Sequence, residues 1–263
     1  MLETVTPIRF HAAVTSGRTR PARLECEKAD GVTRIEVVAK FSEGCDRKAV
    51  GLAMEVVAAC LAFDLGLPVP QPYLLETQPA FIGTVTDPER QRIMNASSPI
   101  AFGSTEAGNG FRIWSKADRI GDDLAAQALA VLCFDAFTVN DDRRDVNPNL
   151  LVRGQDIRII DHESSFVHNM LIGWQQPWKV GALAPLATPG HHIFFAGLKG
   201  RGIDTTPVEQ AWSGITDAHL QGYRSSVPQA WAAGAAVDDA INLIQGVRAN
   251  IAAALAEVRR VLT

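Results

Sequence analysis

The sequence predicts an α+β protein in two lobes: a small antiparallel sheet with one helix over residues 1–100, and a mainly helical lobe over residues 101–263. Three observations predict it. β-Branched runs separated by Gly, Pro and Asp turn signals fill the first forty positions. An almost uncharged helical stretch follows them, and apolar residues at three- and four-residue spacing dominate the end of the chain. With 263 residues, 47% of them hydrophobic, the chain can bury a sizeable core in one large domain or two packed lobes.

Residues 8–14 and 22–27 read as strands around Thr15-Ser16-Gly17-Arg18-Thr19-Arg20-Pro21, a segment with the composition of a turn. The Asp30-Gly31 signal introduces a third strand, residues 33–41, rich in Ile35, Val37 and Val38, with Lys40 near its end. Asp46 is the expected N-cap of a helix running to about Leu65, where Gly66, Pro68 and Pro70 stop it. Between Lys48 and Asp64 the only charged side chain of that helix is Glu55. A lone carboxylate on a buried helix is costly unless a cation meets it, and the nearest upstream candidate is Lys40.

Residues 73–75 read as a short strand, and Gln78 to Gly110, with many Pro, Gly, Ser and Asn and little periodicity, as the crossing between the lobes. A helix capped by Asp122 or Asp123 then runs through Leu129 and Leu132 to Phe137, apolar on most faces and therefore central in the second lobe. A hairpin follows, residues 150–152 and 157–160, turned at Arg153-Gly154-Gln155. Beyond Phe166 the sequence is irregular until one long helix from about Val237 to Leu262, and no internal repeat is visible.

Charge and motifs exclude several classes. A net charge of −4 and a pI near 5.9 give no overall basic field, so neither nucleic acid nor an anionic membrane is expected as the main partner. The first residues lack a basic stretch leading into an apolar run, and no apolar run is long enough to span a bilayer. Cys26, Cys45, Cys60 and Cys133 are widely spaced without a Cys-x-x-Cys pair, as expected of unpaired thiols in a cytoplasmic protein. No Walker A pattern, Gly-x-Ser-x-Gly elbow or Gly-x-Gly-x-x-Gly fingerprint supports a P-loop, hydrolase or dehydrogenase reading. The histidines have no zinc-ligand spacing, and core packing is the expectation for Trp174, Trp178, Trp212 and Trp231.

The stretch Asn140-Asp141-Asp142-Arg143-Arg144-Asp145-Val146-Asn147-Pro148-Asn149 concentrates polar groups in one loop on a rigid support, and the second hairpin strand delivers Asp161 to the same end. Phosphoryl transfer asks for this inventory: an Asp to position the attacking hydroxyl, an Asn and a second Asp to hold Mg, and a Lys on the nucleotide phosphates oriented by a Glu. Asp142 and Asn147 stand five apart, the spacing of the catalytic Asp and metal-binding Asn in the protein-kinase loop. Asp141 is an alternative base, and an Asx-rich turn with no chemistry is the bland alternative for the whole loop. Glu55 has one too, a salt bridge that only satisfies a buried helix.

Asp142-Arg143-x-x-x-Asn147-Pro148-Asn149-Leu150-Leu151, followed by Ile160-Asp161-His162, resembles the HipA-like kinases and is similar, more distantly, to phosphoinositide 3- and 4-kinases. Val37-Val38-Ala39-Lys40, Glu55 and Leu65-Gly66-Leu67-Pro68-Val69-Pro70 resemble the same family's nucleotide-binding lobe, so the likeness covers roughly Pro7 to Phe166. It implies a protein-kinase-like fold, ATP and Mg as cofactors, and a Ser/Thr protein substrate. By position it implies Lys40 on the ATP phosphates, Glu55 paired with Lys40, Asp142 as catalytic base, Asn147 and Asp161 as Mg ligands, and Gly17 in the loop over the phosphates. The chain departs from the protein-kinase pattern in having one glycine in that loop, and His162 and Glu163 where Phe and Gly usually follow the metal-binding Asp. A small-molecule kinase on the same fold, a nucleotide-binding pseudokinase and transfer of AMP remain the competing expectations.

Overall fold

The computed structural model describes residues 2–14 and 18–263. Its first strands are β1 (Thr4–Ala13), β2 (Ala22–Glu27) and β3 (Arg34–Lys40), followed by helix α1 (Lys48–Asp64) and strand β4 (Pro72–Glu76). Helices α2 (Pro79–Ile82) and α3 (Pro88–Ala96) come next, then strand β5 (Ile100–Thr105). Two parts of the expectation change here. The segment 78–110 is not an irregular crossing, because it carries α2, α3 and β5; and Arg47, not Asp46, is the residue that caps α1.

The expected small antiparallel sheet is instead a closed barrel in the order β1-β2-β3-β5-β4. The reason is β5. It inserts between β3 and β4, which turns the far side of β4 toward β1, and Thr4 and Val5 pair in parallel with Leu74 and Leu75 to close the ring. Irregularities in β1 at Pro7/Arg9 and Phe10/Ala12 bend that strand, as closure demands. Alternate residues Val37 and Ala39 point into the barrel, where they pack with Leu24, Cys26, Leu75 and Ala101. Gly103 is required there: a Cβ would lie 2.4 Å from both Leu75 Cδ1 and Val37 Cγ1. The opposite alternation carries Val38 and Lys40 to the outside of the barrel, facing a cleft.

The remaining elements are β6 (Arg112–Ile113), α4 (Asp122–Thr138), β7 (Leu150–Arg153), β8 (Asp156–Ile159), α5 (Phe195–Leu198), α6 (Thr206–Ser213), α7 (Asp217–Ser226), α8 (Gly234–Ala249) and α9 (Ile251–Leu262). β6, β7 and β8 form a three-stranded antiparallel sheet. Gly121, not an aspartate, precedes α4, so Asp122 and Asp123 lie in its first turn, where carboxylates oppose the exposed N–H groups favourably. The expected single C-terminal helix is broken at Asn250 (φ −124°, ψ 23°), and the segment beyond Phe166 holds three further short helices.

One core runs through the helical half and takes in α1. Leu52, Val56 and Leu61 of α1 are buried together with Leu129 and Leu132 of α4 and Ile244 and Val247 of α8. Tyr223 of α7 donates its hydroxyl to Asp64 at 2.7 Å, and Trp231 donates its indole N–H to the Ile100 carbonyl of β5 at 3.1 Å. The molecule is therefore a mixed α+β protein in which the barrel and the helical layer meet across α1. Among the described residues no helix is long and apolar enough to cross a membrane.

Candidate active site

Lys40 leaves the end of β3 and meets Glu55 of α1, Nζ to Oε2 2.7 Å, and Asp161, Nζ to Oδ1 2.8 Å. The same Glu55 oxygen accepts the backbone N–H of His162 at 2.9 Å. Lys40 and Glu55 are both buried, and Asp161 is partly so. Burial alone would push the Lys40 ammonium down, but Asp161, then Glu55 and Glu163, hold it well above its ordinary value and keep it charged. Burial lifts the Glu55 carboxyl against the pull of Lys40, whereas at Asp161 the attraction of Lys40 prevails over burial and holds the carboxyl low.

Asp161 stands two residues beyond the end of β8 and adopts a left-handed conformation, φ 62°. Such a conformation is uncommon for a residue other than glycine, and it persists here because the reversal is fastened on both sides. Behind it, Ile160 N donates to Asn149 O at 3.1 Å; ahead of it lies the bond from His162 N to Glu55. His162 is buried against Phe134, and burial with the nearby Arg143 cation lowers its imidazole to about 3, so it is neutral. Burial raises Glu163, helped by Asp161 and Glu55, to about 7.

Asp142 and Asn147 come from the loop after α4. Arg144 and Asn147 bond each other's backbone in both directions at 3.0 Å, which fixes the turn between them. The Asn147 amide nitrogen donates to the Asp142 carbonyl at 3.4 Å, and Asn149 Nδ2 donates to Asp142 Oδ2 at 3.2 Å. Asp141 is exposed and its carboxylate is taken by Arg144, so of the two neighbouring aspartates only Asp142 lines the cleft. That cleft, about 770 Å³, is walled by Val38, Phe102, Leu151 and Ile159, and Lys40, Glu55, Asp142, Asn147 and Asp161 all line it. A space of this size, with apolar walls and many polar and charged groups converging on it, is large enough for a small-molecule ligand. Gly17 lies outside the described residues. Phe111, which also lines the cleft, carries the guanidinium of Arg153 at 4.5 Å and that of Arg158 at 5.3 Å from its ring centre.

The site's hidden support is a buried ion pair. Arg143 has no exposed surface; its Nε bonds Asp135 Oδ2 at 2.6 Å and its Nη1 the carbonyls of Asn149 and Ile160. Asp135, one turn before the end of α4, also receives Asn140 Nδ2 at 2.9 Å and lies 3.1 Å from His192 Nε2. One guanidinium thus ties the catalytic-loop candidate, the strand leading to Asp161 and α4 together. Arg47 does similar work on the other side, donating to the carbonyls of Glu163 and Ser165. Asp135, His192 and Arg47 carry no motif, although Asp135 is the single carboxylate in the apolar body of α4 and had the same sequence signal as Glu55.

The model of the HipA-like kinase family matches residues 9–175. The chain belongs to the HipA-like kinase family. As a HipA-like kinase it is a phosphotransferase, and the matched region carries Lys40, Glu55, Asp142, Asn147 and Asp161. It is also similar to the crystal structure of a proinflammatory kinase, CtkA, from Helicobacter pylori, with 10% identity and a TM-score of 0.43 over 95% of this chain and 99% of that one. No curated protein matches the chain.

A magnesium ion suits the residues present. Mg is held by hard oxygens, often one or two carboxylates together with nucleotide phosphates, and the cleft of this HipA-like kinase offers the second oxygen of Asp161 and the amide oxygen of Asn147.

Proposed function

We propose that this HipA-like kinase transfers the γ-phosphoryl group of ATP to a Ser/Thr hydroxyl of a protein. The observation that carries the reading is the cleft in which Lys40 bridges Glu55 and Asp161 while Asp142 and Asn147 line the same space. In this reading the barrel, which runs on past the expected boundary at residue 100 to the end of β5 at Thr105, binds the nucleotide, and the residues after it form the catalytic lobe. Lys40 grips the phosphates, and Glu55 keeps it aimed from a buried helix. Asp161 and Asn147 hold Mg, which when bound neutralises phosphate charge. Asp142 orients the acceptor hydroxyl and accepts its proton; the incoming oxygen forms its bond to the γ-phosphorus as the bond to the β–γ bridging oxygen breaks, leaving ADP. Catalysis of this kind is mostly placement and charge stabilisation, which suits groups fixed by burial and hydrogen bonds.

Incubating the purified protein, alone and with cell lysate, with Mg and ATP labelled in parallel at the α and γ positions tests the reading, with Asp142→Ala as the control. Protein-bound label from γ only, absent in the variant, is the expected result. Label from γ in small molecules points to a metabolite acceptor, and label from α to AMP transfer. Nucleotide binding with no label transferred points to a pseudokinase.

A further inference from the structure

Between Asp161 and Phe166 the chain leaves β8, crosses under α1 and returns to α4, where Phe166 N bonds Thr138 O at 2.7 Å. Both ends of this crossing are non-glycine residues in the left-handed region, Asp161 at φ 62° and Phe166 at φ 60°. Each such residue is disfavoured and holds its shape only if its surroundings insist on it. The crossing is fastened to α1 by two side chains. Glu55 receives His162 N, and Arg47, at the head of α1, donates one guanidinium nitrogen to both Glu163 O and Ser165 O, the latter at 3.2 Å. Ser165 is fully buried, so its carbonyl has little access to water if Arg47 is lost. Glu163 carries its carboxylate toward α1, with Oε2 3.9 Å from where a Cβ on Gly51 would stand. The chain bends sharply to place Arg47: Lys48, the next residue, has φ 51°.

From this geometry we infer that Arg47 is a positioning residue for the cation ligand Asp161. It acts through the backbone of residues 163–165, fixing the direction in which the free Asp161 oxygen meets Mg. The inference rests on the reading of Asp161 as a Mg ligand. Arginine suits the task because the two N–H bonds of that one nitrogen are held in the plane of a rigid, permanently charged guanidinium, whereas a lysine ammonium sits on a flexible stem and rotates freely. Losing a group that orients a metal ligand typically costs about ten- to a hundredfold in metal affinity or activity.

The test measures binding of a fluorescent N-methylanthraniloyl ATP to the full chain, once in EDTA and once as Mg is titrated in, for wild type, Arg47→Ala and Arg47→Lys, with thermal melting alongside. The expected result is a Mg midpoint raised roughly tenfold or more in Arg47→Ala, with EDTA affinity within about twofold of wild type. Arg47→Lys is expected to shift the midpoint in the same direction, and it carries the comparison if the alanine variant does not fold. Unchanged Mg midpoints in folded variants, whatever the melting temperature, overturn the inference and leave Arg47 a purely structural clamp. A wild-type protein whose nucleotide binding ignores Mg overturns the functional reading itself, and that outcome is visible before any variant is compared.

Discussion

At the residue scale the most exacting requirement belongs to Arg143, a guanidinium with no exposed surface whose charge is balanced by Asp135. Removing one partner of such a pair strands the other charge, and Asp135→Asn is expected to lower stability by about 3–5 kcal/mol, read as a shift of the urea midpoint. Burial works to raise the Asp135 carboxyl, but Arg143 and His192 prevail and hold it below its ordinary 3.8. A carboxyl depressed by folding contributes stability that is fully present above its unfolded value and is lost as pH falls through the folded one. Melting curves below pH 4 should therefore show a shallower acid loss in Asp135→Asn than in wild type. The nearness of Asp161 to the Asp142–Asn147 loop was legible in the sequence because a hairpin returns it to the same end, and the pairing of Lys40 with Glu55 because a charge on an apolar helix demands a partner. Asp135 satisfied the same rule on α4. Arg47 was illegible because its partners are backbone carbonyls, which leave no trace in residue types.

At the element scale, the barrel was the part of the fold least accessible to sequence reasoning. β5 is six residues long with Gly103 in its interior, and glycine weakens any strand pattern. Its identity as a strand comes from the partners that flank it, β3 and β4. The same glycine yields a sharp expectation: Gly103→Ala places a methyl carbon against Val37 and Leu75 and should lower stability by about 1–3 kcal/mol, measured by urea denaturation. The opposite sign is expected at Ala232, an exposed residue at φ 51° closing the turn before α8. There Ala232→Gly relieves a left-handed conformation and should raise stability by up to about 1 kcal/mol in the same assay. The break at Asn250 leaves no mark on the apolar pattern for a related reason. Val247, Ile251 and Leu255 continue the helical spacing across it because α8 and α9 pack on one core.

Over the whole molecule, α1 belongs to both halves at once: Glu55 serves the cleft, while Leu52, Val56 and Leu61 are buried with α4 and α8. Hydrogen exchange followed by mass spectrometry should find the α1 amides opening only with the whole protein, with or without ATP. Protection gained on adding Mg and ATP should fall instead on residues 18–21 and 104–113, which line the cleft without being part of the shared core. An α1 that moves independently on nucleotide binding would contradict this.

Glu55 cannot draw back from Lys40 on its own, because Leu52, Val56 and Leu61 of the same helix are packed into the core, and any ligand that parts the pair has to lift α1 out of that packing first. Ligands for this cleft must be cut to the paired form of Lys40 and Glu55, and the place to win selectivity is the wall at Phe111, whose ring lies beside the guanidiniums of Arg153 and Arg158.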